Sequence, residues 1–118
     1  MILLRTDDVE KLHAVKQILE TDFKSHYTAD QLAQKVGINS CKLKYGFKYL
    51  FESGPYKFLT TVRIEKAKDI LECTEHPIKY VATSVGIPDV PTFIKSFKRL
   101  TGNSPAEWRR ITRSALVN

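Results

Sequence analysis

Long apolar runs, cysteine pairs and glycine-rich loops are absent from this chain of 118 residues, and each absence excludes a class of protein. No apolar stretch approaches the roughly 18 residues of a membrane span, and Ile2, Leu3 and Leu4 are too few for a signal-peptide core. Cys41 and Cys73 are too few for a disulfide framework and lack the paired spacing of a zinc site. We therefore expect a protein of the reducing cytoplasm with no metal, no cofactor and no membrane contact.

Strand signals are also scarce. The sequence has no long alternation of apolar and polar residues and no Asn-Gly or Asp-Gly pair. Apolar residues instead recur at helical spacing. The pattern predicts an all-α fold of about seven helices, at about Asp7–Asp22, Thr28–Gly37, Ser40–Ser53, Pro55–Thr74, Pro77–Gly86, Val90–Thr101 and from Pro105 onwards.

The predicted core consists of the apolar stripes of these helices. Its main members are Leu12, Leu19, Leu32, Val36, Leu43, Phe47, Leu50, Phe51, Phe58, Leu59, Val62, Ala67, Ile70, Leu71, Val81, Val85, Phe93, Phe97 and Leu100. Cys73 falls on or beside the stripe of the fourth helix, so we expect it to be chemically inert. Thr28 and Gln31 have the spacing of a capping box, as have Ser104 and Glu107.

One supersecondary unit occurs twice in the sequence. The run Leu32-Ala33…Val36-Gly37-Ile38 recurs 49 residues later as Val81-Ala82…Val85-Gly86-Ile87, and Phe47-Lys48 recurs 50 residues later as Phe97-Lys98. Each copy is a short helix, a glycine turn and a longer helix, which is the helix-turn-helix pattern. Two such units are predicted, joined by one long helix.

Positive charge is in excess. The 19 Lys and Arg residues exceed the 13 Asp and Glu residues by six. Residues 95–113 include six basic residues and one acidic residue, Glu107. A basic cluster of this kind favours a nucleic-acid partner. The major groove of DNA, about 12 Å wide, admits the second helix of such a unit.

The outward positions of the two longer helices supply candidate DNA contacts. We predict base contacts from Ser40, Cys41, Lys44, Tyr45, Val90, Pro91, Thr92, Ile94 and Lys95. We predict phosphate contacts, which position the protein without reading sequence, from Lys48, Lys98, Arg99 and Arg109.

The repeated pattern resembles the AraC/XylS family of bacterial transcription regulators over about residues 8–111. Besides the two repeats, the resemblance is carried by Arg63…Ala67…Leu71 and by Gly102…Pro105…Trp108-Arg109. It implies an N-terminal helix and first helix-turn-helix in residues 1–54, a linker helix in 55–74, and a second helix-turn-helix with a terminal helix in 75–118. It also implies sequence-specific binding of double-stranded DNA, with two recognition helices in successive major-groove segments about 34 Å apart.

The resemblance further implies transcription activation through contact with RNA polymerase in a bacterial cytoplasm. Many members of the family carry a ligand-binding, dimerising domain before the DNA-binding one, and 118 residues leave no room for both. We expect an excised C-terminal portion, monomeric by itself and dimeric in the full-length protein. A short stand-alone regulator is the alternative.

Four positions depart from the family pattern. Ile87 stands where the family usually has Phe, and Glu52 stands where the second unit has Gly102, which leaves the end of the first recognition helix open. Val90-Pro91 is an apolar opening for the second recognition helix, so hydrogen bonding to bases there stays open.

Other functions fit the sequence less well. A helical protein-interaction module with a basic face is the main alternative, because an acidic protein would also suit the positive charge. An enzyme is disfavoured, since no His is placed near Cys41 or Cys73 and His13, His26 and His76 are scattered. RNA binding would call for stacking aromatics on an exposed surface, which the pattern lacks.

Overall fold

Helices account for all regular structure in residues 3–116, the part of the chain that the structure, a computed structural model, describes. No strand occurs in that range, so the prediction of an all-α fold is confirmed. The helices are α1 (Thr6–Thr21), α2 (Ala29–Val36), α3 (Ser40–Phe51), α4 (Pro55–Cys73), α5 (Ile78–Ser84), α6 (Val90–Thr101) and α7 (Pro105–Leu116). The chain divides into two compact units, Met1–Leu59 and Thr60–Asn118.

Local capping interactions determine where the helices begin and end. The Thr28 hydroxyl accepts from the backbone N–H of Gln31, and the Gln31 side chain accepts from the backbone N–H of Thr28, which forms the predicted capping box. Ser104 and Glu107 form the second one at the start of α7. Helix α3 ends at Phe51, two residues before the predicted end, because Glu52 adopts a left-handed conformation with φ 65°. Glu52 thus ends its helix as Gly102, with φ 83°, ends α6.

The first unit surrounds one apolar core, to which α1, α2, α3 and the start of α4 contribute. Phe47 of α3 is fully buried at the centre, with its ring in edge contact with Phe51 and Phe58 at centroid distances of 4.6 and 5.6 Å. Burying a large side chain stabilises the fold by roughly 1.5–3 kcal/mol. The buried members of this core are Leu12, Val15, Leu19, Leu32, Ala33, Ile38, Leu43, Phe47 and Leu59.

The second unit has its own set of buried side chains. Phe93 and Phe97 of α6 are fully buried, and the Phe97 ring contacts the Trp108 ring edge-on at 5.9 Å. Trp108 is held in turn by its indole N–H, which donates to Oε2 of Glu72 at 2.9 Å. The other buried apolar residues of this unit are Ile64, Ala67, Leu71, Val81, Ala82, Val85 and Pro105.

Several burial predictions are corrected by the structure. Leu100 is 39% exposed, because it lies in the last turn of α6. Cys73 is exposed rather than buried: it lies two residues beyond buried Leu71, about 200° around the helix. Ile64 and Arg63 are buried although the apolar stripe omitted Ile64.

Leu3 and Leu4 belong to no regular element, and Ile2 lies outside the described residues. Leu4 packs instead against the core of the first unit.

Candidate nucleic-acid interface

The same backbone turn connects the two helices in both units. The N–H of Ile38 donates to the carbonyl of Ala33 at 3.0 Å, and the N–H of Ile87 donates to the carbonyl of Ala82 at 2.9 Å. These two bonds are 49 residues apart, as the sequence repeat predicts. The glycine before each isoleucine has positive φ, 78° in the first turn and 87° in the second. A side chain at either position would strain the backbone.

Side chains fix the start of α3. The carboxamide oxygen of Asn39 accepts from the N–H of Lys42 at 2.8 Å and caps the helix. The Ser40 hydroxyl donates to Oδ1 of Asp30 in α2 at 2.5 Å, so the two helices of the turn are also joined through side chains. Ser40 is therefore engaged within the protein and half-buried.

The outward face of α3 is exposed as predicted. Cys41, Lys44, Tyr45 and Lys48 are all exposed, and Tyr45 has 63% of its surface accessible. Sequence reasoning missed Tyr49, which is 79% exposed. Tyr49 lies four residues after Tyr45, so the helical spacing could have placed it on the same face.

Helix α6 presents a similar face in the second unit. Asp89 caps the helix by accepting from both the backbone N–H and the hydroxyl of Thr92. These bonds lower the pKa of Asp89 below the ordinary value of an aspartate, the Thr92 hydroxyl having the larger effect. Val90 is half-buried, whereas the rest of the predicted contacts on this helix are exposed: Pro91, Thr92, Ile94, Lys95, Lys98 and Arg99.

Arg109 has partners inside the second unit. Its Nε donates to the carbonyl of Leu71 at 3.1 Å, and its Nη2 donates to the carbonyl of His76 at 2.8 Å. Arg113 donates to the carbonyl of Thr74 and pairs with Glu75. Arg109 and Arg113 of α7 thus bind carbonyls in the last turn of α4 and in the segment that follows it. The Leu71 carbonyl, in that last turn, has no partner within the helix itself.

Neither a membrane-spanning helix nor a metal-binding cluster occurs among the described residues. None of the helices in residues 3–116 is long and apolar enough to cross a membrane. No group of three His, Cys, Asp or Glu side chains in that range is placed to hold a metal ion.

Two copies of a helix-turn-helix, each presenting an exposed basic helix, define the class of the protein: it is a helix-turn-helix DNA-binding domain. The helix-turn-helix domain family matches residues 32–111, which is more than half of the chain. The chain belongs to the AraC-type family of transcription regulators.

Known relatives agree with this assignment. The C-terminal domain of the two-component response regulator yesN from Fusobacterium nucleatum is 32% identical, with a TM-score of 0.74 over 82% of this chain and 95% of that one. The DNA-binding domain of AdpA, solved with a target DNA, has the same fold, with a TM-score of 0.83 at 24% identity over 89% of this chain and 95% of that one.

The raffinose operon transcriptional regulatory protein RafR of Pediococcus pentosaceus is 28% identical over 107 residues, or 91% of this chain. The match covers 39% of RafR, so the chain spans about two fifths of that regulator's length.

Proposed function

We propose that α3 and α6 each enter a major-groove segment of double-stranded DNA and together read the sequence of a transcription-control site. The observation that carries this proposal is the repeated turn. The same backbone hydrogen bond, from an isoleucine N–H to an alanine carbonyl, occurs in both units. Each turn is followed by a capped helix with an exposed basic face. A major groove accepts such a helix, whose exposed side chains then face the base edges.

In the first unit, Lys44 and Tyr45 are the main candidates for reading bases. Lys44 can donate to O6 or N7 of guanine, and Tyr45 offers both a hydroxyl and a ring. Cys41 is exposed in the first turn of α3 and can contact a base edge beside them. Ser40 makes a smaller contribution, because its proton is already donated to Asp30. Lys48, one turn after Lys44, contacts a phosphate.

In the second unit, apolar contact replaces much of the hydrogen bonding. Val90, Pro91 and Ile94 meet thymine methyl groups, which are the apolar feature of the major groove. The Thr92 hydroxyl donates to Asp89, so it meets DNA as an acceptor. Lys95 reads a base edge, and Lys98 and Arg99 at the end of α6 contact phosphates. Because Arg109 already donates to two backbone carbonyls, its main role is to support the fold.

The length of α4 supports binding to successive groove segments. At about 1.5 Å per residue, a helix of 19 residues is about 28 Å long. Successive major-groove segments on one side of a duplex are about 34 Å apart. A helix of that length is long enough to join two units that occupy such segments, with DNA bending to absorb the difference.

The larger setting is proposed by analogy with the related regulators. Residues 1–54 and 75–118 serve as the two DNA-reading segments, and 55–74 as their linker. The domain acts in a bacterial cytoplasm, without enzymatic activity, and activates transcription by contacting RNA polymerase. It is monomeric by itself and dimeric within a full-length regulator that senses an effector.

Selection from a random-duplex library tests the proposal, followed by titration of the selected site against random competitor DNA. We expect a motif of two blocks about one helical turn apart. One block alone would contradict reading by both helices. Loss of all binding in competitor would overturn sequence-specific recognition and favour the alternative, a helical protein-interaction module whose basic face binds an acidic partner.

A further inference from the structure

The first unit contains an apolar cavity of about 210 Å³. Three buried leucines, Leu19, Leu32 and Leu59, line it. Two tyrosines, Tyr27 and Tyr56, also contribute to the lining, and Tyr56 is 80% exposed. The cavity is therefore apolar inside and reaches the protein surface, as small-molecule sites usually do.

Among the described residues that line the cavity, Lys44 is the one that carries a charge. Its side chain is exposed, so the methylene groups can follow the apolar wall while the ammonium group stays at the mouth. The Tyr27 hydroxyl donates to Oδ2 of Asp22 at 2.6 Å, so that hydroxyl is occupied outside the cavity. The lining consequently combines an apolar interior with a single positive charge.

This combination selects a ligand of particular chemistry. The apolar interior favours a single ring or a short alkyl chain, since it offers few partners to a buried polar group. The positive charge at the mouth favours a single anionic group that stays in contact with water. We propose that the cavity binds a small apolar monocarboxylate, with its carboxylate paired to Lys44.

Binding at this site would compete with DNA. This part of the inference rests on the proposed function, in which Lys44 reads a base. A carboxylate on Lys44 neutralises the charge that the guanine contact uses, and places a negative group close to the phosphates of the duplex. The protein therefore cannot hold the ligand in the cavity and form the specific DNA complex at the same time.

The cavity is tested with benzoate as the probe and benzamide as its uncharged match. We expect benzoate to cause saturable shifts of the backbone amides of Ala29, Lys44 and Leu59 in the ¹⁵N-labelled chain, and benzamide to bind more weakly. Ala29 lines the cavity at the first position of α2, so Ala29→Leu fills it and should abolish the shifts. A thermal melt checks that this variant folds.

Lys44→Met gives a second test that leaves the core intact. We expect this variant to bind benzoate no better than benzamide. Lys48→Met is the matched control, because Lys48 is an exposed lysine one turn further along α3 that does not line the cavity. It should retain the wild-type preference for benzoate. Absence of saturable shifts, equal binding of the two probes by the wild type, or unchanged shifts in Ala29→Leu would overturn the site.

Competition is measured by fluorescence anisotropy on the selected duplex, with sodium chloride matching the ionic strength. At a benzoate concentration ten times its dissociation constant, we expect DNA affinity to fall about tenfold for the wild type and to stay constant for Ala29→Leu. An unchanged affinity in the wild type would overturn the competition. Absence of specific DNA binding before benzoate is added would instead contradict the proposed function. The amide shifts would still show whether the cavity binds benzoate.

Discussion

The Nζ atom of Lys42 lies 3.1 Å from Oδ2 of Asp8, a contact between side chains 34 residues apart in sequence. Asp8 belongs to the first turn of α1 and is almost fully buried, whereas Lys42 belongs to the first turn of α3. The same carboxylate oxygen accepts from the backbone N–H of Arg5 at 2.9 Å. One carboxylate thus caps α1 and ties α3 to it, which fixes the orientation of the helix proposed to read DNA.

This contact makes the stability of the protein depend on pH. The backbone N–H of Arg5 and then Lys42 lower the pKa of Asp8 below its ordinary value of 3.8. A lowered pKa in the folded state contributes stability above the unfolded value, and this is lost as pH falls through the folded value. Asp8→Asn should therefore lower the melting temperature at pH 7. The variant should also lose less stability than the wild type on acidification below about pH 4.

Asp7→Asn is the matched control for that change. Asp7 is adjacent and exposed, and it pairs with Lys11 at 3.4 Å, one turn along the same helix, a type of pair that contributes little. Melting curves between pH 3 and 7 compare the two variants. Equal melting temperatures for the Asp7 and Asp8 variants at every pH would show that the Asp8 contact adds no stability.

Gly46 lies within α3 at a point where there is no room for a side chain. A Cβ atom there would lie 2.8 Å from Cδ1 of Leu12 and 3.1 Å from Cδ2 of Leu4. Alanine favours a helix over glycine by about 1 kcal/mol, but overpacking a core costs about 1–3 kcal/mol. We expect Gly46→Ala to destabilise the protein in chemical denaturation, because the fully buried Leu12 side chain would have to shift within the core.

Ser96 provides the comparison for Gly46. It occupies the corresponding position in α6, 50 residues later, and already has a Cβ atom. Ser96→Ala should change the free energy of unfolding by no more than about 0.5 kcal/mol. A Gly46→Ala protein as stable as the wild type would mean that α3 can move away from α1 at no cost.

Arg109 should matter for folding more than for DNA binding. Its two bonds to the carbonyls of Leu71 and His76 are charge-assisted, and such bonds contribute about 1.5–3 kcal/mol. We expect Arg109→Ala to lose stability on that scale, with the salt dependence of DNA binding unchanged. The neighbouring Arg110 is exposed, so Arg110→Ala serves as the control and should leave stability near the wild-type value. A decrease of about 0.9 in the slope of log K against log salt for Arg109→Ala would instead identify a phosphate contact.

Lys44 and Lys48 should differ in how their loss affects specificity. Lys44→Ala should weaken binding to the selected site by about 1–3 kcal/mol and change binding to random duplex much less. Lys48→Ala should weaken binding to both and reduce the salt slope by about 0.9. Anisotropy titrations at several salt concentrations measure both quantities. Equal losses on selected and random DNA for Lys44→Ala would assign it to a phosphate.

Local features were predictable because they depend on residues close in sequence. The capping box at Thr28, the cap at Asp89 and the turn at Gly37 all involve atoms within a few residues. The helix-turn-helix repeat and the family followed from these local signals. The early end of α3 was not predictable, because a glutamate rarely adopts the left-handed conformation that Glu52 has.

Contacts between distant residues were beyond the sequence pattern. Nothing in the spacing indicates that Asp8 meets Lys42, or that Arg109 meets carbonyls more than 30 residues earlier in the chain. Arg109 stands in a basic cluster, where charge alone favours a phosphate contact. Leu100 was assigned to an apolar stripe, but it lies in the last turn of α6, where periodicity no longer predicts burial. Cys73 was placed on or beside the stripe of α4, but it lies about 200° from Leu71 around the helix and is exposed.

The two turn bonds, Ala33 to Ile38 and Ala82 to Ile87, bear on how such a domain can evolve. Both use backbone atoms alone, and neither involves an outward side chain of α3 or α6. Mutations of exposed outward residues such as Lys44 and Lys95 therefore leave these two backbone bonds unchanged. Each half of a recognition site can diverge through single substitutions while the other half is still bound, so new target sites are accessible without an intermediate that fails to fold.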